Sequence, residues 1–172
     1  MPQLLRQTSS MSTHSDVSPS SPPTHAPAAP FTSIGLLKID HVGMAVADLD
    51  EAIEFYGRVF GMACVHIEEN TEQGVREAML SVGPTPAGGC VQLLAPLSPS
   101  STIARFLDRN GPGIQQVAYT VASIDDTCAA LRDRGVRLLY DTPRRGTAGS
   151  RINFVHPKDA GGVLVELVEP AP

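Results

Sequence analysis

The chain has 172 residues, is 42% hydrophobic and carries a net charge of −5, so it can bury a core but lacks the basic face of a general nucleic-acid binder. No apolar run approaches the roughly 18 residues of a membrane span. Cys64, Cys90 and Cys128 show no C-x-x-C spacing, which fits reduced thiols in a cytoplasmic protein better than a disulfide framework or zinc knuckle, and each is read as core filler.

Residues 1–34 are expected to form a disordered tail. Ser, Thr and Pro fill 16 of the first 30 positions, too polar a composition to offset the entropy of ordering. No apolar segment of the kind found in secretory signals is present there, and His14 and His25 are discounted as ligands. From Leu36 the pattern becomes regular. LLKIDHVGMAV reads as a strand. DLDEAIEFYGRVFG reads as a helix capped by Asp48, with Leu49, Ile53, Tyr56 and Phe60 at helical spacing and Gly61 as its stop. Strands are expected at about 62–68, 75–82 and 89–95. TIARFLDRNG predicts a linker helix closed by Gly111. The order then recurs: GIQQVAYTV as a strand, SIDDTCAALRDRG as a helix capped by Ser123, and strands at about 136–140, 150–155 and 162–168.

The recurrence has a fixed offset. His41 to Gln116 and Asp50 to Asp125 are each 75 residues, and Gln92 to Glu166 is 74. The chain therefore reads as an α+β domain over 35–172. Tandem βαβββ modules at about 37–97 and 112–170, joined by a linker helix at about 98–111, would form a cupped, partly closed, eight-stranded mixed sheet. Gln92 and Glu166 each interrupt an apolar run, which is costly unless the polar group is paired. His41 and Gln116 open equivalent strands. The duplication brings these four side chains toward one axis, a donor set suited to an octahedral ion with two positions left for water or substrate. Strand alternation puts Val75, Glu77 and Met79 on one face, and by local sequence alone Glu77 reads as a solvated strand carboxylate.

Three stretches carry a resemblance: EENTEQGVREAML (68–80), VQLLAPL with STIARFLDRNGPGI (91–114), and RGVRLLYDTPRRGTAGSRINFVHPKDAGGVLVELVEP (134–170). Residues 38 to 170 resemble the vicinal oxygen chelate superfamily, whose glyoxalase fold is the cupped sheet just described, and within it the methylmalonyl-CoA epimerase family. The resemblance implies a divalent metal (Co2+ first, with Mn2+, Ni2+ or Zn2+ as alternatives) on His41, Gln92, Gln116 and Glu166. It departs at Gln115-Gln116, where the family usually has His-His, although glyoxalase I also uses a Gln at such a strand opening. Losing an imidazole weakens the hold on softer late transition metals.

The implied reaction is inversion at C2 of methylmalonyl-CoA, which needs acid/base groups on opposite faces. The resemblance of EENTEQGVREAML assigns one role to Glu77, which would then point into the same cup as Gln92, and the other to Glu166. An acyl-CoA is polyanionic, so Arg144, Arg145, Ser150, Arg151, His156 and Lys158 are candidate substrate contacts. A homodimer is expected, with no nucleic-acid or membrane partner. The rival readings are a glyoxalase I-type lactoylglutathione lyase and a non-catalytic ligand-binding member of the fold. Retention of Glu77, Gln92 and Glu166 speaks against the binder, and Gln116 breaks the facial triad that an iron extradiol dioxygenase needs. His66 has no partner in the repeat and is read as structural or surface.

Overall fold

The structure, a computed structural model, describes residues 33–84 and 88–172; the expected tail lies outside the described residues except for Ser33 and Ile34. The first module runs β1 (Leu36–Ala45), α1 (Leu49–Phe60), β2 (Ala63–Asn70), β3 (Val75–Ser81) and β4 (Cys90–Pro96). After α2 (Thr102–Asn110), the second runs β5 (Gly113–Val121), α3 (Ile124–Asp133), β6 (Arg144–Arg145), β7 (Arg151–Val155) and β8 (Leu164–Glu169). The helices begin where side-chain oxygens can accept orphan N–H groups. Asp48 takes Glu51 N–H at 3.0 Å, Ser101 takes Ala104 at 3.0 Å and Ser123 takes Asp126 at 3.3 Å. Gly61 ends α1 at φ 68°, the left-handed region open to glycine.

One eight-stranded sheet has the order β2-β3-β4-β1-β5-β8-β7-β6. The order reads the same from either end once the modules are exchanged. In the first module β1 lies parallel to β4 with Gly43 opposite Gln92. In the second β5 lies parallel to β8 with Ala118 opposite Glu166, the same relation shifted by 75 and 74 residues. Antiparallel pairing of β1 with β5 joins the halves, His41 facing Ala118 and Gly43 facing Gln116.

Helices α1 and α3 cover the outer face, whereas α2 sets Ile103 against Ala45, Val75 and Leu94 on the inner one. Leu49 of α1 packs with Leu80 and Leu93, and Ile124 of α3 packs with Val155 and Leu167 at the equivalent positions. Burial of this apolar area drives the closure of each module. Because strand neighbours alternate, burying Leu93 and Leu167 against the helices turns Gln92 and Glu166 to the inner face. Among the described residues no helix is long and apolar enough to cross a membrane.

One expected strand does not form. Residues 136–140 make a single isolated bridge, Leu138 with Val155. The fully buried Asn153 side chain replaces the ladder partner here: its amide accepts from Tyr140 N–H at 3.2 Å and donates to Tyr140 O at 2.9 Å. Asp159 takes Arg137 N–H at 2.9 Å. The two residues of β6 occupy the sheet edge instead.

Candidate active site

The four central strands β4-β1-β5-β8 each contribute one polar side chain to the inner face. His41, Gln92, Gln116 and Glu166 are only 4%, 2%, 6% and 5% exposed. His41 Nε2 lies 3.1 Å from Glu166 Oε2. Gln116 Nε2 donates to the same carboxylate oxygen at 2.5 Å and to Gln92 Oε1 at 3.2 Å. Gly43 makes room for this meeting: a Cβ there would stand 2.5 Å from Gln116 Cγ.

Among the described residues no three His, Cys, Asp or Glu side chains cluster as a cation site. The quartet is half amide, and its spacing fits an ion. Neighbouring donors around an octahedral ion with bonds of about 2.1 Å sit about 3 Å apart. The three contacts just given, at 3.1, 2.5 and 3.2 Å, bracket that value. Turning the Gln116 amide would present its oxygen in place of its N–H.

Behind His41, Asp40 Oδ1 sits 3.0 Å from Nδ1, and Thr120 donates to Asp40 Oδ2 at 2.5 Å. This carboxylate directs Nε2 toward Glu166, as outer partners direct metal-binding imidazoles. Burial disfavours the charged ring, but the hydrogen bonds and negative charges of Asp40 and Glu166 outweigh it and raise His41 to about 9. An ion must displace that proton.

Glu77 of β3 is buried beside the quartet. Its Oε2 accepts from Gln92 Nε2 at 3.0 Å, and its Oε1 accepts from Thr147 Oγ1 at 2.7 Å. Burial pushes its carboxyl up to about 7; the Thr147 hydrogen bond opposes the rise, the charges of Glu68 and Glu166 add to it, and His41 opposes it. Thr147 lies in a 3-10 turn, Thr147–Gly149, that reaches from the second module to the first. The Ala148 N–H donates to Glu68 Oε2 at 3.1 Å, with Ala148 at φ 53°.

Two cavities flank the quartet. One holds about 310 Å³ and is lined by Glu77, Gln92, Gln115, Gln116, Arg144 and Glu166 among others. The other holds about 270 Å³ and includes Asp40, His41, His66, Met79, Ser150 and Glu166. Of the candidate substrate residues, Arg144 lines the first and Ser150 the second. Arg145, Arg151, His156 and Lys158 line neither. Arg151 is held by Asp125 at 2.9 Å and Glu169 at 3.2 Å, and His156 Nδ1 accepts the Lys158 N–H. His66 is tied to Glu68 at 2.7 Å. Asp40, Thr120 and Thr147 were not singled out from the sequence.

A family model for the glyoxalase/bleomycin resistance protein/dioxygenase superfamily matches residues 40–154. The chain belongs to this superfamily. Among solved structures of the superfamily, methylmalonyl-CoA epimerase from Mycobacterium tuberculosis is 59% identical with a TM-score of 0.78, covering 84% of this chain and 94% of that one. The Streptomyces coelicolor epimerase in complex with 2-nitronate-propionyl-CoA is 49% identical with a TM-score of 0.75, covering 80% and 99%. A mitochondrial methylmalonyl-CoA epimerase of Bos taurus is 34% identical over 145 residues, 84% of this chain and 79% of that protein.

Proposed function

We infer that this protein interconverts the (2R) and (2S) forms of methylmalonyl-CoA. One observation carries the reading: in a fold shared with methylmalonyl-CoA epimerases, a second buried carboxyl, Glu77, stands beside the quartet that contains Glu166. C2 of the substrate lies between a thioester and a carboxylate, so losing its proton makes an enolate. Inversion requires a proton taken from one face and delivered to the other. Glu77 serves one face and Glu166 the other. A carboxyl at about 7 is populated in both protonation states near neutrality, which suits a reversible exchange of the same proton. Thr147 and Gln92 hold its two oxygens and fix its direction.

Enzymes of the superfamily generally use a divalent metal. Here His41, Gln92, Gln116 and Glu166 would hold it, Co2+ being the first assignment, and it would supply neutralisation of enolate charge. Arg144, 4.0 Å over the Tyr140 ring, is the cation at the larger cavity and is assigned to an anionic group of the substrate. A homodimer belongs to the same reading: Leu37, Ile39, Val65 and Ile67 present exposed apolar side chains on β1 and β2. The free thiols of Cys64, Cys90 and Cys128 suit a cytoplasmic setting. The glyoxalase I-type and non-catalytic readings are less supported.

The two epimers are diastereomers, because coenzyme A is itself chiral, so chromatography resolves them. A single epimer incubated with the Co2+-loaded protein is expected to become a mixture. Persistence of the starting epimer, with the hemithioacetal of glutathione and methylglyoxal consumed instead, would replace this reading by the glyoxalase one.

A further inference from the structure

The duplication gives the site two mouths, and they differ at one pair of equivalent residues. Asp40 and Gln115 are 75 residues apart, the offset of the repeat. Both sit at irregularities of the β1–β5 ladder. Ile39 pairs with Tyr119 and His41 with Ala118, which leaves Asp40 extra; Gly43 pairs with Gln116 and Met44 with Ile114, which leaves Gln115 extra. Such bulges re-aim a side chain. Asp40 lines the smaller cavity and Gln115 the larger.

Their fates differ. Asp40 is taken up by His41 and Thr120. In the other half the matching positions hold Gln116 and Ala45. Alanine supplies no hydroxyl, and the Gln116 amide faces Glu166 and Gln92. Among the described residues, Gln115 Oε1 is accordingly the one buried side-chain nitrogen or oxygen atom without a hydrogen-bond partner. A buried acceptor in a cavity wall is favourable only when something donates to it.

On the epimerase reading, the ligand that enters this cavity carries such a donor. A thioester held at the quartet has its first N–H two methylenes beyond the sulfur, in the secondary amide of the pantetheine arm. Gln115 adjoins Gln116, their Cα atoms about 3.8 Å apart, so its amide stands next to the quartet on the side of the larger cavity. We propose that the coenzyme A arm leaves the quartet through the cavity lined by Gln115, whose Oε1 accepts a hydrogen bond from the first amide N–H of pantetheine and so fixes the thioester. Among the described residues the Asp40 mouth has no equivalent buried acceptor without a partner.

The test uses two short substrates: the methylmalonyl thioester of N-acetylcysteamine, and its analogue in which an ester oxygen replaces the amide N–H. A site built to accept an N–H discriminates against the analogue lacking it. The wild type is expected to exchange the C2 proton of the amide with a kcat/KM about tenfold above that of the ester. Gln115→Met, which keeps the shape without the strong acceptor, brings the ratio near one by lowering the amide rate and leaving the ester rate in place. Gln115→Ala, which needs no space, does the same, and the retained ester rate reports that both variants fold. A ratio near one in the wild type, or a ratio that survives both substitutions, overturns the assignment to Gln115 while exchange of methylmalonyl-CoA keeps the epimerase reading. A wild type that exchanges none of the three overturns both.

Discussion

Thr147→Val removes one hydroxyl and keeps the branched shape. The hydroxyl donates to Glu77 Oε1 at 2.7 Å and accepts from Gln92 Nε2 at 3.0 Å, while Glu77 Oε2 keeps its own bond from Gln92 at 3.0 Å. The lost bond favours the ionised carboxylate, so Glu77 should become a weaker acid. A hydrogen bond to a charged group is worth about 1.5 kcal/mol, or about one pK unit. If Glu77 acts as a base, the rising limb of kcat/KM for C2 proton exchange moves up by about one pH unit. At the wild-type midpoint the ionised fraction drops from about a half to about a tenth, a roughly fivefold loss of rate. Near pH 9.5 the variant regains most of the wild-type plateau. The assay is exchange into D2O across the pH range. A loss of the same size at every pH, with the midpoint unmoved, would refute the link between Thr147 and the protonation of Glu77.

Gly43→Ala puts a methyl 2.5 Å from Gln116 Cγ without requiring a left-handed backbone. Co2+ affinity by titration should fall about tenfold or more, with the far-ultraviolet circular dichroism unchanged. Glu77→Gln keeps the hydrogen-bonding shape and removes one of the two bases; it should lower interconversion of the epimers by about a hundredfold or more while Co2+ still binds, seen in its visible absorption. The metal-free protein should lose stability as pH rises. His41 is raised from 6.5 to about 9, so its contribution is complete below 6.5 and disappears through 9, an upper limit of about 3 kcal/mol from the shift. Glu77, raised from 4.5 to about 7, acts in the same direction between those values. Urea unfolding at pH 6 and pH 9.5 reads the difference, and Co2+, which requires neutral His41, should flatten it.

The quartet was legible because each member breaks a pattern twice. Gln92 and Glu166 interrupt apolar runs at equivalent points, and His41 and Gln116 occupy equivalent points of β1 and β5, so the repeat alone predicts that they meet. Glu77 was legible only through the resemblance of EENTEQGVREAML, because local sequence alone favours a solvated strand carboxylate; the registry of β3 with β4 keeps the alternation that turns it inward. Asp40 and Gln115 were illegible for the opposite reason. Each sits at a bulge, where the two-residue period that assigns faces is interrupted. Thr147 belongs to a turn with no periodicity at all, and its reach to Glu77 depends on tertiary closure across 70 residues. The absent strand at 136–140 keeps backbone bonds only around its one bridge, while the side chains of Asn153 and Asp159 take Tyr140 and the Arg137 N–H, a substitution that strand propensity does not register. The arginines near the end of the chain looked like one basic cluster, yet Arg151 is held by Asp125 and Glu169 and only Arg144 lines a cavity.

The most direct measurement is proton NMR of methylmalonyl-CoA in D2O with the purified protein, first treated with chelator and then restored with Co2+, against a protein-free control. The C2 proton signal should vanish and its methyl doublet collapse far faster than in the control, only with metal restored, and with Glu77→Gln only for the epimer whose C2 proton faces Glu166. Exchange at the control rate in a protein shown to hold Co2+ would contradict the epimerase account.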